Sequence, residues 1–213
     1  MKKPRGLQEI DRIRSAILDQ ALDIISREGL DGLTMRRLAG RIKMTAPNLY
    51  NYYSGKDEIY LSLVVKGFEM LYAALKKARE STTDKKKRGR AMIEAYLRFG
   101  IDQPRYYDIM FVLPTPKYND YRGTPHEQLS GTEYRISMDI VDLVARTIRE
   151  TYGSAMDDQT VIRRLVQVWS LLHGMISLYN SRVAIYVADD ILAIYKQTID
   201  ELIEAFGRSW DDG

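Results

Sequence analysis

Apolar residues recur along most of this chain at three- and four-residue spacing, the period of an amphipathic helix. Between Gln8 and Glu28 the set is Ile10, Ile13, Ile17, Ala21, Ile24 and Ile25, widened by Leu18 and Leu22, and Gly29 follows as a C-cap. Residues 2–8 ahead of it read as a loose basic arm. After the turn Leu30-Asp31-Gly32-Leu33, a short second helix is marked by Met35, Leu38, Ala39 and Ile42, with Thr34 as its N-cap. Lys43-Met44 breaks the pattern. Thr45 caps again, and Pro47 sits in a first turn, where its missing N–H costs little. Leu49 then anchors a third helix, expected over Thr45–Tyr52. Helices this short are not stable alone and must be held by neighbours. Their layout predicts a helix-turn-helix whose recognition helix carries small, amide and phenolic groups outward.

A longer helix follows from Ser54-Gly55-Lys56 through Ile59, Leu63, Val64, Phe68, Leu71 and Leu75 to about Glu80. Ser54 is placed to cap it, and Asp57 and Glu58 suit its positive N-terminal end. Hydrophobicity then breaks over 81–90. The run Lys85-Lys86-Lys87-Arg88 reads as the exposed start of the next helix or its loop, in preference to a nucleic-acid patch. Met92, Ala95, Tyr96 and Phe99 mark a helix ending near Asp102. Gln103-Pro104 restarts it ahead of Tyr106, Tyr107, Ile109, Met110 and Phe111. Pro114, Pro116 and Gly123 make 113–123 irregular. A helix from about Pro125 to Tyr152 puts Leu129, Ile136, Ile140, Leu143, Val144 and Ile148 on its core side, and Gly153 ends it.

The last two helices, about 158–181 and 190–207, are apolar over much more of their circumference. Val161, Leu165, Val168, Leu172 and Met175 are joined by Ile162, Val166, Trp169 and Ile176, while small Ser170, Gly174 and Ser177 permit close helix approach. Such helices must be buried on more than one side. A second copy of the chain is the expected partner; the alternative is a pair of central core helices in a monomer. No strand pattern and no internal repeat emerges, so the fold class is all-α.

Composition adds exclusions. No cysteine is present, which excludes disulfides, thiolate zinc sites and cysteine catalysis, and fits a reducing cytoplasm. With two histidines, His126 and His173, little room is left for a metal or catalytic cluster, and no metal is expected. No run of about 18 apolar residues spans a membrane, and no apolar run behind Lys2-Lys3 makes a secretory signal. Residues 1–60 hold 11 Lys/Arg against 8 Asp/Glu, while 61–213 hold 21 of each. The whole positive excess of +3 therefore lies with the helix-turn-helix, where it suits phosphate attraction or, equally, an ordinary solvated surface.

The head resembles the TetR family of bacterial transcriptional regulators. The residues carrying the likeness are Leu33-Thr34-Met35-Arg36-Arg37-Leu38-Ala39, then Leu49-Tyr50-Asn51-Tyr52-Tyr53 and Lys56, against a pattern T-x-R-x-[IL]-A, a turn, then LY-x-[YH]-[FY]-x-x-K. Trp169…His173-Gly174 is similar to a feature of the family's eighth helix. The resemblance implies about nine helices, a homodimer, a palindromic operator and a small-molecule inducer. It divides the chain into a DNA-binding domain at 1–55 and an all-helical ligand-binding and dimerisation domain at 56–213. One departure is the turn: where glycine is usual, this chain has Ile42-Lys43-Met44. A lysine at φ > 0 carries a strain that glycine avoids.

By geometry and resemblance, Thr45, Ala46, Pro47, Asn48 and Asn51 are candidates for base edges. Tyr50, Tyr52, Lys56, Thr34, Arg36 and Lys43 are candidates for phosphates, with head packing as the alternative for Tyr50; Tyr53 is assigned to packing. One short helix touches few base pairs, so specific binding calls for two heads about 34–36 Å apart, held by a paired body. Candidates for a ligand pocket in that body are Phe99, Tyr106, Tyr107, Met110, Phe111, Tyr134, Met138, Trp169 and His173, each more readily read as core. His173 is more readily a satisfied buried histidine than a ligand or metal contact, and His126 is expected at the surface. The expected function is a ligand-released, DNA-binding repressor that needs no cofactor. The competing readings are an all-helical enzyme, for which HExxH, P-loop, GxSxG and GxGxxG are all missing, and a non-specific helical DNA-binding protein.

Overall fold

A computed structural model describes residues 6–153 and 155–211. Among them are nine α-helices and no strand: α1 (Leu7–Glu28), α2 (Met35–Arg41), α3 (Ala46–Leu49), α4 (Lys56–Glu80), α5 (Lys85–Asp102), α6 (Pro104–Tyr107), α7 (Glu127–Tyr152), α8 (Asp158–Asn180) and α9 (Ile191–Asp211). α6 runs on as a turn of π-helix over Asp108–Val112, and a 3-10 turn covers Tyr118–Tyr121 in the proline-bracketed segment. Of the expected basic arm, residues 2–5 lie outside the described residues, and α1 begins at Leu7.

The helix ends follow local chemistry. Gly29 takes φ 73° and its N–H closes α1 on the Ile25 carbonyl at 2.9 Å. The side chains of Thr34, Thr45, Asp84 and Asp157 accept from backbone N–H groups of Arg37, Asn48, Lys86 and Thr160, capping α2, α3, α5 and α8. Asp190 does the same for α9 through Ala193 N–H at 3.0 Å. The start of α4 differs from expectation. The link is made by Glu58, whose carboxylate accepts from Ser54 N–H at 2.6 Å, rather than by the Ser54 hydroxyl. Lys85, Lys86 and Lys87 of the basic run are the exposed first turn of α5, while Arg88 turns inward, half-buried.

The chain forms two compact units: Met1–Glu69 with Arg105–Ile136, and Met70–Pro104 with Ser137–Gly213. The core of the first is built from Ile17, Ile24, Ile25, Leu33, Leu38 and Leu49 of the head, with Ile59 and Leu63 of α4, all fully buried. At about 1.5–3 kcal/mol for each such side chain taken from water, this cluster is what holds a four-residue α3 in place.

In the second unit α5 packs directly on α8. Gly100 allows it: a Cβ there would stand 2.5–2.8 Å from three side-chain carbons of Ile176. Asn180 Nδ2 also donates to the Gly100 carbonyl at 3.1 Å. The ends of α4, α5 and α7 are joined by Glu150, which accepts from Arg79 (2.6 and 2.7 Å) and Arg88 (3.0 Å).

Candidate nucleic-acid interface

The turn between α2 and α3 solves the glycine problem in an unusual way. Met44 N–H reaches the Ala39 carbonyl at 2.8 Å and Lys43 N–H the Gly40 carbonyl at 3.3 Å, the two bonds of a Schellman C-cap. Its left-handed position falls on Lys43, at φ 55°. The only glycine nearby, Gly40, lies three residues too early to serve. A non-glycine residue in this conformation costs about 1–2 kcal/mol, and the Lys43 side chain is left exposed at the corner.

α3 is shorter than the Thr45–Tyr52 expected. It is α-helical over Ala46–Leu49, then tightens as Asn51 N–H bonds Asn48 C=O (3.2 Å) and Tyr52 N–H bonds Leu49 C=O (3.0 Å). Pro47 holds its second position and Leu49 is fully buried, so the other side chains face out. Thr45, Pro47 and Asn51 are exposed, Ala46 and Asn48 partly so, and Tyr50 is 53% exposed. Asn51 Nδ2 donates to Asn48 Oδ1 at 3.3 Å, aligning the two amides.

Tyr52 is the exception among the phosphate candidates. It is buried to 8%, and its carbonyl accepts from Arg14 Nη1 at 2.8 Å. The tightened turn rotates it inward beside Tyr53, so most of its ring packs beneath the surface. Tyr53, 2% exposed, lies under the Arg14 guanidinium (4.3 Å), and burial pushes its phenol pKa up.

Arginines on α2 divide into two roles. Arg37 is tied to Glu28 and Arg41 to Asp23, which clamps α2 onto α1. The hydrogen bond from Arg41, helped by Arg27, lowers the Asp23 pKa; that from Arg37 lowers Glu28. Arg36 is exposed and has no ion pair among the described residues. Thr34 is likewise exposed, and Lys56 half-buried at the first residue of α4.

The structure separates the pocket candidates. In the first unit Tyr106, Tyr107 and Met110 are buried, Phe111 sits edge-on to Phe68 (5.6 Å), and Tyr134 is 47% exposed and stacked on Tyr118 (4.8 Å). The Tyr106 hydroxyl is the one buried side-chain polar atom among the described residues without a hydrogen-bond partner. In the second unit Phe99 is buried, but Met138 (39%) and Trp169 (42%) open to solvent, against the interior positions expected. Trp169 Nε1 donates to Tyr96 Oη (2.8 Å), and His173 Nε2 lies 3.4 Å from the same oxygen. Burial lowers the His173 pKa, favouring the neutral ring. His126 is half-buried and edge-on to Tyr121.

A polar cluster in the first unit was not foreseen. Tyr60 Oη donates to Thr115 Oγ1 (2.8 Å), and Lys117 Nζ donates to the same oxygen (3.2 Å) and toward the Met110 carbonyl (3.5 Å). Burial pushes the Tyr60 phenol up to about 12, lowers Lys117 and raises Glu133. The available signal was Glu133 itself, a carboxylate at a core-side position of α7 between Leu129 and Ile136. No group of three or more metal-ligating side chains occurs among the described residues. No helix there is long and apolar enough to cross a membrane.

A capped, basic helix-turn-helix on an all-helical body defines a DNA-binding regulator. Two family models match: bacterial regulatory proteins of the tetR family over residues 17–63, and the tetracyclin repressor-like C-terminal domain over 90–202. The chain belongs to the TetR family of transcriptional regulators. It is 30% identical over 161 residues to the HTH-type transcriptional regulator YobS of Bacillus subtilis, covering 74% of each. With the HTH-type transcriptional activator FasR of Mycolicibacterium smegmatis it shares 29% identity over 115 residues, 54% of this chain and 50% of that one. Among solved structures, a tetR-family regulatory protein from Rhodococcus RHA1 superposes with a TM-score of 0.71 at 15% identity, over 91% of this chain and 96% of that one. The regulator FadR from Bacillus subtilis, solved with stearoyl-CoA, gives 0.65 at 13%, over 89% and 96%.

Proposed function

We propose that the chain is a repressor that binds a palindromic operator as a homodimer and is released by a small molecule held in its body. The observation that carries this reading is a pair of outward faces of opposite chemistry. α3 turns Asn48, Asn51 and Tyr50 to solvent, and α8 turns out Ile162, Val166, Trp169 and Leu178, each 42–59% exposed. The first face suits base edges and phosphates; the second suits a second copy, which sets the distance between heads. Gly174 and Ser170 are exposed on the same helix and allow close approach.

For the ligand, the unpartnered phenol of Tyr106, beside Met110 and beneath Lys66 (5.8 Å from the ring), offers a polar anchor in apolar surroundings. The FadR neighbour's stearoyl-CoA makes long-chain acyl-CoA the first ligand to try. Such a protein acts in the cytoplasm, needs no cofactor and has no catalytic role.

The test is fluorescence anisotropy on palindromes from the promoter of its own gene, against scrambled DNA, across a salt series. Asn48→Ala with Asn51→Ala should cost about 1–3 kcal/mol per lost base contact on the operator alone. Lys56→Ala should weaken all DNA and reduce the salt slope by roughly 1. Equal affinity for scrambled DNA would sink specific repression. Acyl-CoA that releases wild type but not Tyr106→Phe supports the anchor; equal release of both removes it.

A further inference from the structure

The polar cluster of the first unit gives Lys117 an amine with unusual partners. Lys117 N–H donates to Asp120 Oδ2 at 2.7 Å, which fixes the backbone where the side chain starts. Its Nζ reaches two neutral oxygens, Thr115 Oγ1 (3.2 Å) and the Met110 carbonyl (3.5 Å). Both residues are buried, and the Thr115 hydroxyl is already engaged: it accepts from Tyr60 Oη and donates to the Leu113 carbonyl at 3.4 Å. Among the described residues no carboxylate pairs with the Lys117 nitrogen. An ammonium has three hydrogens to place and no lone pair, whereas a free amine has two hydrogens. Two acceptors and no counter-ion therefore match the amine and leave its lone pair unused. Lys117 is nonetheless exposed as a residue, so the nitrogen is within reach of a small molecule.

Glu133 of α7 completes the arrangement. Its charge acts on both Lys117 and Tyr60, and burial raises its own pKa while lowering that of Lys117. Burial thus draws amine and acid toward their neutral forms, a nucleophilic nitrogen facing a proton donor. Asp120 is the other acid acting on the amine, and it is held by the Lys117 backbone. The residue after each of the pair is aromatic: Tyr118 and Tyr134 stack at 4.8 Å, and Tyr134 is 47% exposed. We infer that Lys117 is a covalent site for aromatic aldehydes, captured as an imine, with Glu133 as the acid and the stacked tyrosines beside the ring. The Nζ lone pair attacks the carbonyl carbon, and one amine hydrogen passes to the carbonyl oxygen, giving a carbinolamine. Glu133 then protonates the departing hydroxyl as the C–O bond breaks. Water leaves, and the iminium forms opposite the new carboxylate, which supplies the counter-ion that the free lysine lacks. This chemistry requires neither a dimer nor an operator, so it holds or fails apart from the repressor reading.

The test is reductive trapping on the full chain at neutral pH, with benzaldehyde and cyanoborohydride, which turns an imine into a stable benzylamine. The chain has no cysteine to compete for the aldehyde. Peptide mass spectrometry then gives the labelling rate at each lysine. Lys117 should be labelled several-fold faster than the exposed Lys85, Lys86 and Lys87, which serve as internal references. Equal rates overturn the site, and that comparison needs no variant. Lys117→Met keeps most of the side chain's length, so circular dichroism should be unchanged while the fast label disappears. A fast label that survives in this variant also overturns the site. Glu133→Gln keeps the shape and removes the proton, and labelling at Lys117 should slow several-fold against the reference lysines, with part of the rate recovered in Glu133→Asp. An unchanged ratio in Glu133→Gln overturns the pairing of amine and acid. Propionaldehyde should favour Lys117 over the references less than benzaldehyde does; the reverse order overturns the aromatic preference.

Discussion

α3 and α8 are both surface helices, and they expose opposite chemistries. α3 is four residues long, held by Leu49 and by caps at either end, and shows amides, a phenol and hydroxyls to water. α8 is 23 residues long, buries Val161, Leu172, Met175 and Ile176, and still shows a row of large apolar side chains. A polar face needs no cover, so α3 alone would give no sign of its partner; position in the helix-turn-helix supplies that sign. An exposed apolar face is costly by itself. The lesson is that a recognition helix is legible from context and an oligomer helix from its own thermodynamics.

The sharpest way to break the comparison is Gly174→Arg. Both helices should stay folded in this variant, since a Cβ at Gly174 meets nothing within 4 Å, yet operator affinity should fall by about 100-fold or more, because one head alone grips few base pairs. Unchanged operator affinity would uncouple α8 from DNA binding. Next come the two buried glycines. Gly100→Ala should cost about 1–3 kcal/mol, since three carbons of β-branched Ile176 block the new Cβ. Gly67→Ala meets chiefly the flexible Met110 side chain, with Sδ at 2.5 Å, and should cost less. Equal denaturation midpoints for the two variants would refute that packing difference. Removing the cap of α2 with Thr34→Ala should cost about 1 kcal/mol, measured by urea titration; no loss would mean that the α1–α2 ion pairs already suffice.

The smallest effect is one of pH. Asp23 and Glu28 have pKa values lowered below their ordinary 3.8 and 4.5 by their arginine partners. A depressed carboxylate stabilises the fold above its unfolded pKa, and loses that contribution as pH falls through its folded value. Thermal stability should therefore decline on acidification below about 4.5, and less steeply in Asp23→Asn. Identical slopes would show that the pair contributes nothing. Glu133, raised by burial, runs in the opposite sense and gives stability up as pH rises past 4.5.

Most helices were legible because their apolar positions repeat at 3.6 residues and their ends carry Thr, Asp or Gly. Lys43 shows where that reading needed coordinates. Sequence placed it at a position that favours glycine; only the backbone showed that it takes φ 55°. Tyr50 and Tyr52 are chemically equivalent in the sequence, yet one is 53% exposed and the other 8%, because a tightened turn after Leu49 rotates them differently. The pocket candidates were less tractable. Aromatic and Met side chains fill cores and bind ligands by the same chemistry, so nothing local distinguishes Tyr107 from Trp169.

The chain's own pattern thus determined the helices, their caps, the basic head and the broad apolar character of α8, since each depends on neighbours within a few residues. Tertiary structure decided which side chains remain outside. It tied Arg37 and Arg41 to α1 while leaving Arg36 exposed, left the Tyr106 hydroxyl without a partner, and lifted Tyr186 and Val187 into solvent. Those outcomes depend on residues far apart in sequence meeting at hydrogen-bond or van der Waals distance, which no local periodicity encodes.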